Sequence, residues 1–185
     1  DSGGGTVAIK GPASTTGNAA IELTVPSTAS DTLDSLKRAG NILQVKTVVK
    51  TDAFTTQSTS LVDINGLTVN ITPSSSSNKI LVIFSGYGAT NAANYGTHFD
   101  IYRGIGGASF TEISRNYNQE PTIQSQTGSN LFNQILDSPN TTSVVTYKGM
   151  MSTDSSSNTG RIGAGGNGGT TNIPDSVITV MEVAA

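Results

Sequence analysis

The sequence predicts an all-β protein, a sandwich or barrel of short antiparallel strands preceded by a short N-terminal β segment and one short helix. Three observations lead there. The most apolar run, Ile80 to Phe84, is β-branched and aromatic, and it is bounded by Lys79 and by Ser85-Gly86. It is too short for a helix and reads as a strand at the middle of a packed core, buried on both faces. The stretches around it alternate polar and apolar residues, as half-buried strands do. Turn-forming residues recur between them: Pro73 ends the strand that delivers Ile71, and Ser74 to Asn78 bond their own backbone in turns.

The elements follow in order. Thr6–Lys10 and Ala20–Val25 alternate as two short strands, with Gly11-Pro12 and Thr16-Gly17-Asn18 turning between them. Strands this short are marginal alone and need a partner chain or a neighbouring domain. Pro26 closes that piece. Ser30 stands at an N-cap position, Asp31 and Asp34 fall in the first turn, and Leu33 and Leu36 share a face. Lys37 and Arg38 lie in the last turn and Gly40 follows as the C′ residue. This spacing predicts a helix over Ser30–Ala39, a collar that ends an attachment segment, residues 1–40, before a main domain, residues 41–185.

In the main domain, Ile42 to Val49 gives a long first strand, and Phe54 with Thr55–Ser60 reads as a loop. Leu61, Val62 and Ile64, then Leu67, Val69 and Ile71, alternate, but the alternation slips at Asn65-Gly66. A type I′ hairpin explains the slip slightly better than a bulge in one bent strand. Gly86–Gly96 reads as a polar loop and His98–Arg103 as a strand with Phe99 and Ile101 on one face. Ser109–Ile113 follows the Gly104–Gly107 turn, and Arg115–Asn130 reads as a long polar stretch. Phe132–Leu136, Val144–Met151, Arg161-Ile162 and Ser176–Val183 complete the strands. Between them lie Asp137–Asn140, a Ser/Asn tip at Ser152–Gly160 and a glycine-rich loop at Gly163–Thr171.

Charged residues make up 12% of the chain, about half the usual ~25%. Ser, Thr, Asn and Gly replace them, which suits an extracellular β scaffold better than a cytosolic enzyme. The net charge is −3 and the densest basic pair is Lys37-Arg38, so a nucleic-acid binder, which needs a basic face, is not expected. No apolar run approaches the roughly 18–20 residues of a membrane-spanning helix. The chain begins at Asp1 without Met or an apolar leader, as expected of a processed protein or the ordered part of a longer one. Cysteine is absent, which excludes disulfides and thiolate sites. Oligomerisation is the expected substitute, since it buries surface that a monomer leaves wet. The absence of Trp argues against the common sugar-stacking groove.

Candidate sites are few. His98 is the only histidine, with no cysteine beside which to bind zinc and no Gly-x-Ser-x-Gly elbow for a nucleophile. At a strand start after a loop it reads first as a surface residue, second as a binding residue. Asp63, Asp100, Glu112, Glu120 and Asp137 could pair as in a glycosidase, but spacing in sequence does not show it, and Asp63 and Asp100 fall in alternating strands where outward polar positions are expected. Gly104–Gly107 and Gly163–Gly169 lack the following helix of a phosphate loop and read as turns. The polar loops Gly88–Thr97 and Arg115–Asn130 carry Tyr95 and Tyr117 among Asn, Gln and Thr. Tyr with small amides offers contact area and hydrogen bonds at low entropic cost, which is recognition chemistry; a merely solvated loop is the plainer reading. The candidate ligand-binding residues are Tyr95, His98, Tyr117 and Asn118. No catalytic residue, metal ligand or cofactor is expected.

Several motifs carry a family resemblance: Gly40-Asn-Ile-Leu-Gln-Val45, Gly66-Leu-Thr-Val-Asn-Ile-Thr-Pro73, Ser77-Asn-Lys-Ile-Leu-Val82, Leu136-Asp-Ser-Pro139 and Ser176-Val-Ile-Thr-Val-Met-Glu-Val183. With them, residues 41–185 resemble the C-terminal knob domains of tail-fibre and appendage proteins of tailed phages, particularly phages of aquatic bacteria. Ile9-Lys-Gly-Pro12 and Leu23-Thr-Val-Pro-Ser27 are similar to the small β units that precede such knobs. The resemblance implies an antiparallel jelly-roll-like β-sandwich, similar to the C1q and tumour-necrosis-factor folds, assembled as a homotrimer on the virion surface. It implies a non-enzymatic fibre tip that contacts other virion proteins through residues 1–40 and adheres to a host-surface glycan or protein. A capsid decoration or head-fibre protein, docked through residues 1–40, is the alternative.

Overall fold

The computed structural model describes residues 38–92, 95–119, 128–169 and 175–185. The chain divides into two units, Asp1–Ser35 and Leu36–Ala185, and every described residue belongs to the second. The expected N-terminal strands, and the expected helix as far as Lys37, lie outside the described residues. Arg38 to Gly40 form a turn closed by the Asn41 N–H on the Arg38 carbonyl, with Gly40 at φ 88°.

Ten strands follow: β1 (Ile42–Lys50), β2 (Phe54–Thr56), β3 (Val62–Ile71), β4 (Lys79–Thr90), β5 (Gly96–Ile105), β6 (Thr111–Gln119), β7 (Gly128–Asp137), β8 (Val145–Thr153), β9 (Gly160–Ile162) and β10 (Ser176–Val183). No helix occurs among the described residues. All pairings are antiparallel. One sheet, here sheet A, runs β1-β10-β4-β9-β2, with β7 on the other edge of β4. The second, sheet B, runs β3-β8-β5-β6. The first strand therefore pairs with the last and β3 with β8, the nested wrapping of a jelly-roll-like sandwich.

β4 is the spine of sheet A. Ile80, Val82 and Phe84 alternate inward and are fully buried, against Ile178 and Val180 of the same sheet and Leu67, Phe99, Ile101 and Tyr147 of the other. Phe84 and Phe99 stack across the two sheets with ring centroids 3.7 Å apart. Buried polar groups tie the end of the sandwich where Asp137 and Glu182 both stand opposite Ile80. Asp137 of β7 accepts Arg103 Nη1 and the Tyr147 hydroxyl of sheet B, each at 2.7 Å. Burial, and then the hydrogen bond to Asp137, push the Tyr147 phenol far above its ordinary value. Glu182 of β10 is fully buried; its carboxylate accepts Ser74 N–H, Ser74 Oγ and Asn78 Nδ2 on one oxygen and Gln44 Nε2 on the other.

The structure corrects five expectations. Ile80–Phe84 is not buried on both faces: Leu81 and Ile83 are half-buried and look outward. Gly86–Thr90 continues β4 instead of forming a loop. Its glycines answer a packing need, since a Cβ at Gly86 would lie 2.8 Å from the Phe84 ring and one at Gly88 2.6 Å from Leu131. Asn65-Gly66 makes no hairpin; β3 is one strand whose pairing with β8 shifts between Asp63 and Thr68, with Gly66 at φ 84° absorbing the bulge. Phe54–Thr56 is a strand paired with β9, not a loop. Tyr117 likewise lies on a strand, β6, and not in a loop.

The two outward faces differ in chemistry. On sheet A the register sets Val45, Met181, Leu81 and Leu136 in one cross-strand row. Thr47, Thr179, Ile83 and Gln134 make the next, and Val49, Val177, Ser85 and Phe132 the third. No charge occurs in these rows, and Phe132 (56%), Val49 (52%), Val45 (51%) and Leu136 (50%) are half exposed. The corresponding rows of sheet B hold Asp63, Met150, Asp100 and Arg115, then Thr68, Lys148, Tyr102 and Glu112. There Lys148 bonds Asp63 at 2.6 Å and Arg115 bonds Glu112 at 2.7 Å.

Candidate recognition site

The site forms where β5 begins. Its register with β6 sets His98 opposite Tyr117, and its register with β8 sets His98 opposite Ser152. Just past β8, Asp154 folds back over the same spot. Its Oδ2 accepts the Gly96 N–H at 2.8 Å and the Tyr117 hydroxyl at 2.7 Å. Its Oδ1 lies 3.2 Å from His98 Nε2, which donates, since an ionised carboxylate only accepts. The His98 and Tyr117 rings lie 4.7 Å apart, centroid to centroid. Gly96 is required here: a Cβ would overlap the Tyr117 ring, which leans across the bare backbone to reach Asp154. The hydrogen bond to Asp154, then burial, raise the Tyr117 phenol above its ordinary value.

Next to this cluster lies a hollow of about 280 Å³, lined by Thr59, Leu61, His98, Asp100, Arg115 and Ser152. Asp100 stands on the outward side of β5, yet its side chain is only 2% exposed. Its contacts are long: the Asn116 N–H at 3.4 Å and Arg115 Nε at 3.7 Å. Burial, and then the nearby Glu112 charge, raise its carboxyl above the usual range. A larger hollow of about 420 Å³ lies at the other end of the sandwich, lined by Leu43, Ser74, Ser75, Ser77, Asn78, Ala184 and Ala185. Polar side chains there already serve the fold: Ser74 and Asn78 bond Glu182, and Ser75 bonds Ser77.

Of the residues singled out by sequence, His98 and Tyr117 meet. Tyr95 is exposed and sits one residue before β5, and the hydrogen bonds and ring contact that join His98, Tyr117 and Asp154 do not include it. Asn118 pairs along the backbone with Thr97, and its side chain lies outside the described residues. Of the carboxylates singled out, Asp100 and Glu112 share Arg115, while Asp63 is bonded to Lys148, Asp137 to Arg103 and Tyr147, and Glu120 lies outside the described residues. Among the described residues no group of three or more His, Asp or Glu side chains could hold a metal ion. Sequence reasoning missed Asp154, Arg115 and Ser152, and it read Asp100, one of its candidate carboxylates, as an outward solvated position where the structure buries it. Asp154 left one signal, as the sole charge in the otherwise uncharged tip Ser152–Gly160.

The chain matches no family model and no curated protein sequence. Among solved structures it is similar to the infectious bursal disease virus Gt strain at 14% identity and a TM-score of 0.44, over 89% of this chain and 42% of that one. It is also similar to the VP2 subviral particle of infectious bursal disease virus at 13% identity and a TM-score of 0.41, over 87% of this chain and 42% of that one. The chain thus spans about two fifths of the length of these neighbours. At such scores the ground for the fold is the strand order above, not the neighbours.

Proposed function

We propose that the chain is a phage virion structural protein, the tip of a tail fibre or appendage, which assembles as a homotrimer and adheres to the host cell surface. The observation that carries this reading is the contrast between three charge-free cross-strand rows on the outward face of sheet A, flanked by Lys79 and Arg161, and the ion-paired outward rows of sheet B. The apolar rows of sheet A are the subunit contact. Four strands span about 14 Å, so the rows cover an area on the scale of roughly a few hundred Å², where exposed apolar surface marks association. A second copy is the fitting occupant, because neither side brings a charge that would be buried unpaired. Thr47 and Thr179 in the middle row already share a hydrogen bond at 3.1 Å.

Sheet B then faces outward with His98, Tyr117 and Asp154 preorganised at its end. Three copies of a weak polar site raise avidity through effective concentration without any added contact. The motif resemblance in residues 41–185 supports the same reading, and residues 1–40 would join the tip to the rest of the virion.

The test is adhesion of labelled protein to a panel of bacterial strains, with immunogold labelling of virions to find its place. We expect labelling at the tail tip, and loss of cell binding in Tyr95→Ala with Tyr117→Ala while the fold is unchanged. Cell binding that survives both substitutions would contradict the assignment of the adhesive face. Gold on the head would move the chain to the decoration alternative.

A further inference from the structure

We propose that the hollow beside His98 on sheet B is a subsite for a neutral sugar ring, held through a pair of adjacent hydroxyls on Asp100. This rests on the adhesion reading above and names its ligand class.

The wall chemistry selects the ligand. Asp100 is a buried carboxylate held only by long contacts, 3.4 Å from the Asn116 N–H and 3.7 Å from Arg115 Nε. It has capacity for further donors at ordinary distance, and it lines an open hollow that can admit them. Arg115 stands beside it as a donor, kept in place by Glu112 at 2.7 Å. Ser152 adds a hydroxyl, and Leu61 adds an apolar patch. A carboxylate acceptor next to a guanidinium donor suits a group that both donates and accepts without charge of its own. Hydroxyls do so, and a sugar also offers C–H faces for Leu61 and for the exposed ring of Tyr117 across His98.

An anionic ligand fits less well: an acidic sugar meets Asp100, Glu112 and Asp154 around one arginine. An ammonium group is drawn by those carboxylates, but it offers the Arg115 guanidinium no acceptor. At about 280 Å³ the hollow lies just under the roughly 300–1,000 Å³ of drug-sized sites, which suits one ring. Glu182 gives the internal contrast: equally buried, it is supplied with donors by its own chain and faces no such need.

The experiment is an NMR titration of the full chain with methyl α-mannoside, methyl α-glucoside and methyl β-galactoside, beside glucuronate and ethanolamine as charged probes. We expect millimolar binding of at least one neutral glycoside, with shifts centred on His98, Arg115 and Ser152. Asp100→Asn should weaken it about tenfold, since a charge-assisted hydrogen bond is lost. Arg115→Ala, at a mostly exposed side chain, should weaken it without touching the fold. The proposal is overturned if no neutral glycoside shifts these amides, if a charged probe binds there instead, or if Asp100→Asn binds as well as wild type. Cell adhesion that persists in Asp100→Asn but is lost in Tyr117→Ala would remove the sugar assignment and leave the adhesion reading intact.

Discussion

The outward faces of the two sheets share one core and one chain, yet they are built to opposite rules. Sheet A carries aliphatic rows with no charge; sheet B carries ion pairs, a histidine and tyrosines. The same contrast recurs in two buried carboxylates. Glu182, at the end of sheet A, takes hydrogen bonds on both oxygens from Gln44, Ser74 and Asn78. Asp100, on sheet B, has only long ones. A buried charge with close donors on both oxygens is explained by the fold, and one with only long contacts beside a hollow asks for another explanation. On the proposed reading, the sheet A face serves assembly and the sheet B face recognition.

The comparison can be broken most severely through the core that both faces share. Phe84→Ala removes the ring that stacks on Phe99 across the sheets, and it should cost about 3–5 kcal/mol in urea unfolding. Both faces should be lost together; a variant that kept self-association while losing recognition would show that the faces fold independently.

Glu182→Ala should cost about 3 kcal/mol, because several buried donors lose their acceptor. Burial alone would raise the Glu182 pKa, but the bonds from Asn78, Gln44 and Ser74 hold it below its ordinary value. The stability it supplies is therefore full above the usual carboxylate range and is lost as pH falls through the lowered pKa. Asp100 has the opposite sign. Its raised pKa means that stability is lost as pH rises through it, so Asp100→Asn should be slightly more stable than wild type at neutral pH. Thermal melts of both variants from pH 3 to 8 check the pair; matching pH profiles would erase the distinction.

Leu81→Glu combined with Leu136→Glu places charge in the first apolar row. The variant should become a single protomer by light scattering and keep its melting temperature within a few degrees once dissociation is allowed for. Asp154→Ala is the mildest change. With its hydrogen bond gone, the Tyr117 phenol should titrate nearer its ordinary value, which a tyrosine absorbance titration reads. The fold should lose no more than about 1 kcal/mol, as for an exposed polar pair.

Much of the fold was legible because strand periodicity is local. Ser176–Val183 alternates in sequence and forms β10 over those same residues. Local pattern failed where tertiary packing set the choice. Gly86 and Gly88 looked like loop residues, but they are bare because Phe84 and Leu131 occupy the space of a side chain. The site was half legible. His98 and Tyr117 are chemically conspicuous, so both were singled out. Asp154 could not be joined to them, since no sequence rule brings residue 154 to residue 96; only the order β8-β5-β6 does. Asp100 read as a solvated outward position because burial on the outward side of a strand leaves no trace in the alternation.

The most direct test of the division of labour is the solution mass of the intact chain by light scattering, beside the Leu81→Glu, Leu136→Glu variant. The account predicts three times the protomer mass of 18.9 kDa for the wild type and a single protomer for the variant. A wild-type mass of one protomer would contradict it, leaving the apolar face of sheet A without the occupant assigned to it.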